Sequence, residues 1–206
     1  GSPGSGPTSI AVDPSGMYAY AANSLTDDIA QFTIGTGGKL VPMSTPTVTP
    51  CSPNPTCMEG KWPISIVVDS ISQYVYVANL TSNSFTQYEI GTDGALTPKS
   101  TTILPAGSSP FSVAVAGDST GSKYVYVANY GSATVSEYSI DPTTGALSSI
   151  GSISAGNVTV PASLPTAVTV AGDSTGSKYV YVTNGNVVSQ YTINPDGTLT
   201  AMAPNP

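Results

Sequence analysis

The sequence predicts an all-β protein, a β-propeller of four blades of about 50 residues, each blade four-stranded. Three observations carry this reading. A unit recurs four times: PTSIAVDPSGMYAYAAN (7–23) returns as PISIVVDSISQYVYVAN (63–79), PFSVAVAGDSTGSKYVYVAN (110–129) and PTAVTVAGDSTGSKYVYVTN (165–184). Inside each unit apolar residues alternate with a period of two, and no segment shows a helical period. Turn formers punctuate every unit at matching places.

Each unit reads as four strands in order. The first is a β-branched run: SIAV, SIVV, SVAV or AVTV. A turn of the DPSG or GDSTGS type follows, and then the tyrosine strand, YAYAA, YVYVA, YVYVA or YVYVT. The third strand alternates, as IAQFTI, FTQYEI, VSEYSI and VSQYTI, and ends in TGG, TDG, PTTG or PDG. A looser fourth strand follows Gly-x-Leu: LVPMSTPTV, LTPKSTTIL, LSSIGSIS and LTAMA. The tyrosine strand is apolar on both faces, so both must be covered, as they are when blades lie against each other. A β-sandwich is the runner-up, but it does not require near-identical 50-residue units. The blades run about 7–62, 63–109, 110–164 and 165–206 of one domain, 1–206, with 1–6 completing the last blade or a neighbour's.

Composition narrows the function. The net charge is −7, with no His among 206 residues, and the five basic residues are all Lys. Nucleic acid needs a basic footprint to neutralise phosphate, so it is not an expected partner. No apolar run approaches the ~18 residues of a membrane span, so no membrane insertion is expected. Without His there is no imidazole base, and no cofactor or metal is expected. Cys51 and Cys57, in a loop rich in Pro, Ser and Thr, are expected to form a disulfide in an oxidising compartment, which places the protein outside the cell or on its surface. Asn157-Val-Thr and Asn79-Leu-Thr are glycosylation sequons, and Asn157 lies in the more open loop.

YVYVAN at 74–79 and 124–129 and YVYVTN at 179–184 resemble the YVTN-type repeat. With the preceding P-x-[SA]-[IV]-x-V and the following G-x-L, they make the chain similar to the YVTN / lactonase-like β-propeller superfamily. That resemblance implies a propeller, in most members of seven blades. It implies one of two roles, a 6-phosphogluconolactonase-type enzyme or a surface-layer or secreted protein. Here there are four units, and the tail LTAMAPNP joined to the head GSPGSGPTS matches the length of the internal link 96–112. Gly1, Ser2, Pro3, Gly4, Ser5, Gly6 and Pro7, with Leu199, Ala201 and Met202, are therefore the expected assembly interface. Four arrangements fit: a closed four-bladed ring, a two-chain ring, a filament, or half of a longer propeller.

Candidate chemical groups are few. Asp118 and Asp173, with Lys123 and Lys178, read as turn residues of GDSTGSK, and Asp27 and Asp28 as a solvated turn. Glu89 and Glu137 are expected to face solvent. Asn23, Asn79, Asn129 and Asn184 end each tyrosine strand and suit a structural role. Trp62 is expected to pack between blades, with exposed sugar stacking as the sharper alternative. The reading is a non-enzymatic extracellular propeller, a surface scaffold, adhesion or self-assembly subunit whose partners are other copies of itself and glycans. A lactonase-like sugar-lactone hydrolase fragment and a glycan- or peptide-binding module are the alternatives.

Overall fold

Short β-branched runs broken by Asp, Gly and Pro turns fold as four antiparallel meanders. The computed structural model describes residues 3–50, 60–71, 73–99, 104–105, 107–155 and 164–202. The first sheet runs β1 (Pro7–Val12), β2 (Tyr18–Asn23), β3 (Asp28–Ile34) and β4 (Leu40–Val48). The second runs β5 (Pro63–Val68), β6 (Tyr74–Asn79), β7 (Ser84–Ile90) and β8 (Leu96–Pro98), with a short β9 (Leu104–Pro105) also on β7. The third contains β10 (Pro110–Asp118), β11 (Gly121–Asn129), β12 (Thr134–Ile140) and β13 (Leu147–Ser154). The fourth contains β14 (Pro165–Asp173), β15 (Gly176–Asn184), β16 (Val187–Ile193) and β17 (Leu199–Ala201). Within each sheet the strands follow chain order, with β9 pairing back on β7. The one helical element among the described residues is a three-residue 3-10 turn, Thr36–Gly38.

The chain divides into two compact units, Gly1–Pro105 and Ala106–Pro206, of two sheets each. In unit 1, Tyr20, Ala22 and Ile29 of the first sheet pack on Ile66, Val75 and Val77 of the second. In unit 2, Tyr126, Ala128 and Val135 of the third sheet pack on Val168, Val180 and Val182 of the fourth. Tyr alternates with Val in β6, β11 and β15 and with Ala in β2, and in β6 the tyrosine face and the valine face are both buried. Each fully buried Val contributes about 1.5–3 kcal/mol of transfer free energy.

The same polar bonds seal both seams. The buried Tyr20 hydroxyl donates to the Gly94 carbonyl at 2.7 Å, and Tyr126 to Gly197 at 2.8 Å. The Leu96 N–H donates to Gln31 Oε1 at 2.6 Å, and the Leu199 N–H to Glu137 Oε1 at 3.2 Å. The Ile66 N–H donates to Ser9 Oγ, and the Val168 N–H to Ser112 Oγ. A phenol or amide taken from water needs a partner inside, and the next sheet's turn supplies it. Asp13 and Asp69, both buried, close the turns before β2 and β6 by accepting backbone N–H groups from residues 17–18 and 73–74.

Candidate functional site

Trp62 lies in unit 1, where residues 61–62 lead into β5 beside the turn between β2 and β3. Its φ is 58°, in the left-handed region, at a place held by Gly6 (69°) and Ser109 (52°) in other repeats. The repeat sets this conformation: the carbonyls of Gly6, Trp62 and Ser109 accept the N–H groups of Ser24, Leu80 and Tyr130, the first turn residue in each sheet. Glycine adopts it freely, whereas a bulky L-residue carries strain of about 1–2 kcal/mol. Strain of this kind persists only where neighbours hold it.

Asp27 is that neighbour. Its own φ is 55°, a conformation that Asp tolerates at the end of a turn. Oδ1 accepts the Trp62 N–H at 2.8 Å, and Oδ2 accepts Lys61 Nζ at 2.9 Å. One carboxylate thus fixes both an ammonium group and the backbone under an indole. Trp62 is 44 % exposed, and Lys61 also opens to solvent. Beside this group Asp28 is buried, and its Oδ1 accepts the Asn23 amide at 2.7 Å. Gly4, with φ +76°, lies over that pair, and any Cβ there would overlap the Asn23 amide. An exposed aromatic face, a cation and a carboxylate within one turn's reach suit a neutral polyol ring carrying a polarised carbonyl.

The other predicted residues fall elsewhere. Lys123 pairs with Asp118 and Lys178 with Asp173, each within its own turn. Those ammonium groups, with Thr120 and Thr175, hold both carboxyls well below the usual range. Asn23, Asn79, Asn129 and Asn184 are all buried. Asn79 Nδ2 donates to the Val77 carbonyl and Thr86 Oγ1, so attaching a glycan there requires an unfolded strand. Asn157, Cys51, Cys57, Gly1 and Ser2 lie outside the described residues. Ser5 and Gly6 fold onto the β2–β3 turn of their own sheet, Ser5 through bonds to Thr26 and Leu25, and Pro7 opens β1. Leu199 is buried within unit 2, while Ala201 is exposed and Met202 half-buried.

Three expectations are corrected by this geometry, the first being Asp28, which is buried and does not belong to a solvated turn. Glu137 does not face solvent. It is buried opposite Tyr126, in register with Gln31 opposite Tyr20, because the third strand is covered on both faces. Only Glu89, two residues further along its strand, is exposed. Trp62, expected to pack between blades, presents its ring to solvent.

Four-stranded meanders packed face to face through tyrosine strands define a β-propeller protein. This chain belongs to the family described as lactonase, seven-bladed β-propeller, whose profile matches residues 1–162. The periplasmic gluconolactonase of Pseudomonas aeruginosa is similar in fold, with a TM-score of 0.72 at 17 % identity over 95 % of this chain and 53 % of that one. So is a candidate 6-phosphogluconolactonase of Bacteroides fragilis, with 0.70 at 20 % over 94 % and 52 %. A protein of unknown function from Desulfotomaculum acetoxidans gives 0.71 at 16 % over 95 % and 55 %. At such identities the likeness concerns the fold, and the chain spans about half the length of these structures. No curated protein matches the chain. Nothing in these matches points to the cell-surface branch of the repeat. The expectation of a non-enzymatic chain is overturned by the lactonase family match. The missing His removes an imidazole base, but Asp and Lys can still supply base and electrophile.

Proposed function

We propose that the chain supplies a lactone-binding site of a sugar-lactone hydrolase, formed by Asp27, Lys61 and Trp62. The observation that carries this reading is the joint fixing of Lys61 and Trp62 by one carboxylate, in a chain of the lactonase family. The sugar ring stacks on the indole, with its carbonyl oxygen toward the Lys61 ammonium. The Asp27 carboxylate takes a proton from water as the water oxygen bonds to the carbonyl carbon. The resulting oxyanion is stabilised by Lys61. Collapse breaks the bond from the carbonyl carbon to the ring oxygen, which receives the proton, and an open-chain aldonic acid leaves.

The experiment is hydrolysis of glucono-1,5-lactone by the 206-residue chain, followed by acid release against the buffer rate. The chain is expected to exceed that rate. Lys61→Met is expected to lower kcat/KM about 100-fold, the usual worth of an oxyanion donor. Trp62→Ala is expected to act mainly through KM, because stacking is equal in ground and transition states. A wild-type rate equal to buffer rejects the reading.

A further inference from the structure

The four repeats allow each exposed residue to be compared with its own counterparts. Ile10 and Val12 in β1 are 57 % and 53 % exposed, while Ile66, Val113 and Val168, the counterparts of Ile10, are each 6 % exposed. Ile66 and Val168 sit on the face that receives the preceding sheet of their own unit. At the other end, Val188 in β16 is 45 % exposed, while its counterparts Ile29, Phe85 and Val135 are at most 1 % exposed. Tyr179 is likewise open. The first sheet therefore shows a bare receiving face and the fourth a bare inserting face, of the two kinds that meet inside each unit.

Finer features agree. The rings of Tyr18 and Tyr124 lie against Gly94 and Gly197, where a Cβ would overlap them. The matching glycine of the first sheet, Gly38, has φ +78° and nothing within 4 Å of its Cβ position. Leu40 beside it is exposed, whereas Leu96 and Leu199 are buried. A monomer rarely leaves two apolar faces of this kind bare.

We propose that the open face of the fourth sheet, at Tyr179, Tyr181 and Val188, docks on the open face of the first sheet, at Ile10, Val12 and Gly38, of a second copy of this chain. The contact repeats the internal seam: Tyr179 covers Gly38 of the second copy, and the Tyr181 hydroxyl donates to its carbonyl. Because the two faces differ, the contact is head to tail, closing as a ring or extending as a filament. The internal Ser9 and Ser112 bonds have no counterpart, since Ala167 stands at that place, so the seam between copies holds one hydrogen bond fewer.

The test is the mass in solution by sedimentation, for wild type, Ile10→Glu, Val188→Glu and an equal mixture of the two variants. Both residues are exposed, so the variants should keep the wild-type circular dichroism; Val12→Glu and Tyr179→Glu replace any that do not. Wild type is expected above the 20.7 kDa of one chain, and each variant alone at 20.7 kDa. The mixture is expected to give a dimer, because one wild-type seam survives between a Val188→Glu first sheet and an Ile10→Glu fourth sheet. A monomeric wild type, a Val188→Glu chain that associates as wild type does, or a mixture that stays monomeric each overturns the proposal. The readout is mass, so it stands or falls apart from lactone hydrolysis.

Discussion

Gly94→Ala is expected to destabilise the protein by about 3 kcal/mol, as left-handed strain and overpacking add, while Gly38→Ala costs about 1 kcal/mol from strain alone. Both glycines hold the same place in the turn before a fourth strand, with φ of +80° and +78°. They differ in what lies above them. A Cβ on Gly94 would overlap the Tyr18 ring and disturb the adjoining bond from the Tyr20 hydroxyl to the Gly94 carbonyl. Above Gly38 there is open space. Urea unfolding of the two variants, compared at equal denaturant slope, checks this at concentrations where the chain is monomeric. Equal losses at the two sites would mean that Gly94 is required for its backbone conformation and not for the seam.

Glu137→Gln is expected to stabilise the chain by about 1 kcal/mol at neutral pH, roughly the net worth of one completed hydrogen bond. Gln31, at the matching place in unit 1, accepts from Leu96 N and donates to the Thr45 carbonyl. Glu137 accepts from Leu199 N in the same way, but its second oxygen lies beside Gly151, where an ionised carboxylate has no proton to give. Burial pushes its pKa up, the Leu199 N–H opposes this, and the nearby Asp196 charge adds to the rise. A raised folded value means that the folded state binds the proton more tightly than the unfolded one. Its contribution to stability is therefore complete below the unfolded carboxyl range, near pH 4.3, and is lost as pH rises through the raised folded value. The variant should remove that loss, so the two stability curves should meet at low pH and separate at neutral pH. A variant no more stable than wild type at pH 7 would show that Glu137 is satisfied as a carboxylate.

Much of the fold was legible because its signal repeats. The alternation in YVYVAN marks both faces of one strand, and four copies leave little freedom in strand order. The site was less legible for definite physical reasons. Trp62 stands alone in the sequence, and its exposure follows from a positive φ that the position before Pro63 does not announce. Asp27 read as one acid of a solvated turn, because its partners, Lys61 and Trp62, lie more than thirty residues away and meet it only when the first two sheets stack. Alternation along the third strand predicts an outward position for both Glu89 and Glu137, and only Glu89 follows it. Aligning the third strands sets Glu137 with Gln31, Gln87 and Gln190 instead, at the place where the Gln31 amide reaches the second sheet. The missing His excludes one base and leaves the carboxylates.

Trp62 is the chain's single tryptophan, so its emission reports directly on the proposed site. Titration with a lactam analogue of glucono-1,5-lactone, which keeps the ring and carbonyl and resists hydrolysis, is the most direct test. A saturable change in emission is expected, with weaker binding in Lys61→Met and in Asp27→Asn, which loses the carboxylate that holds the ammonium. An emission spectrum that stays constant across the titration, in a chain whose circular dichroism shows it folded, would contradict it.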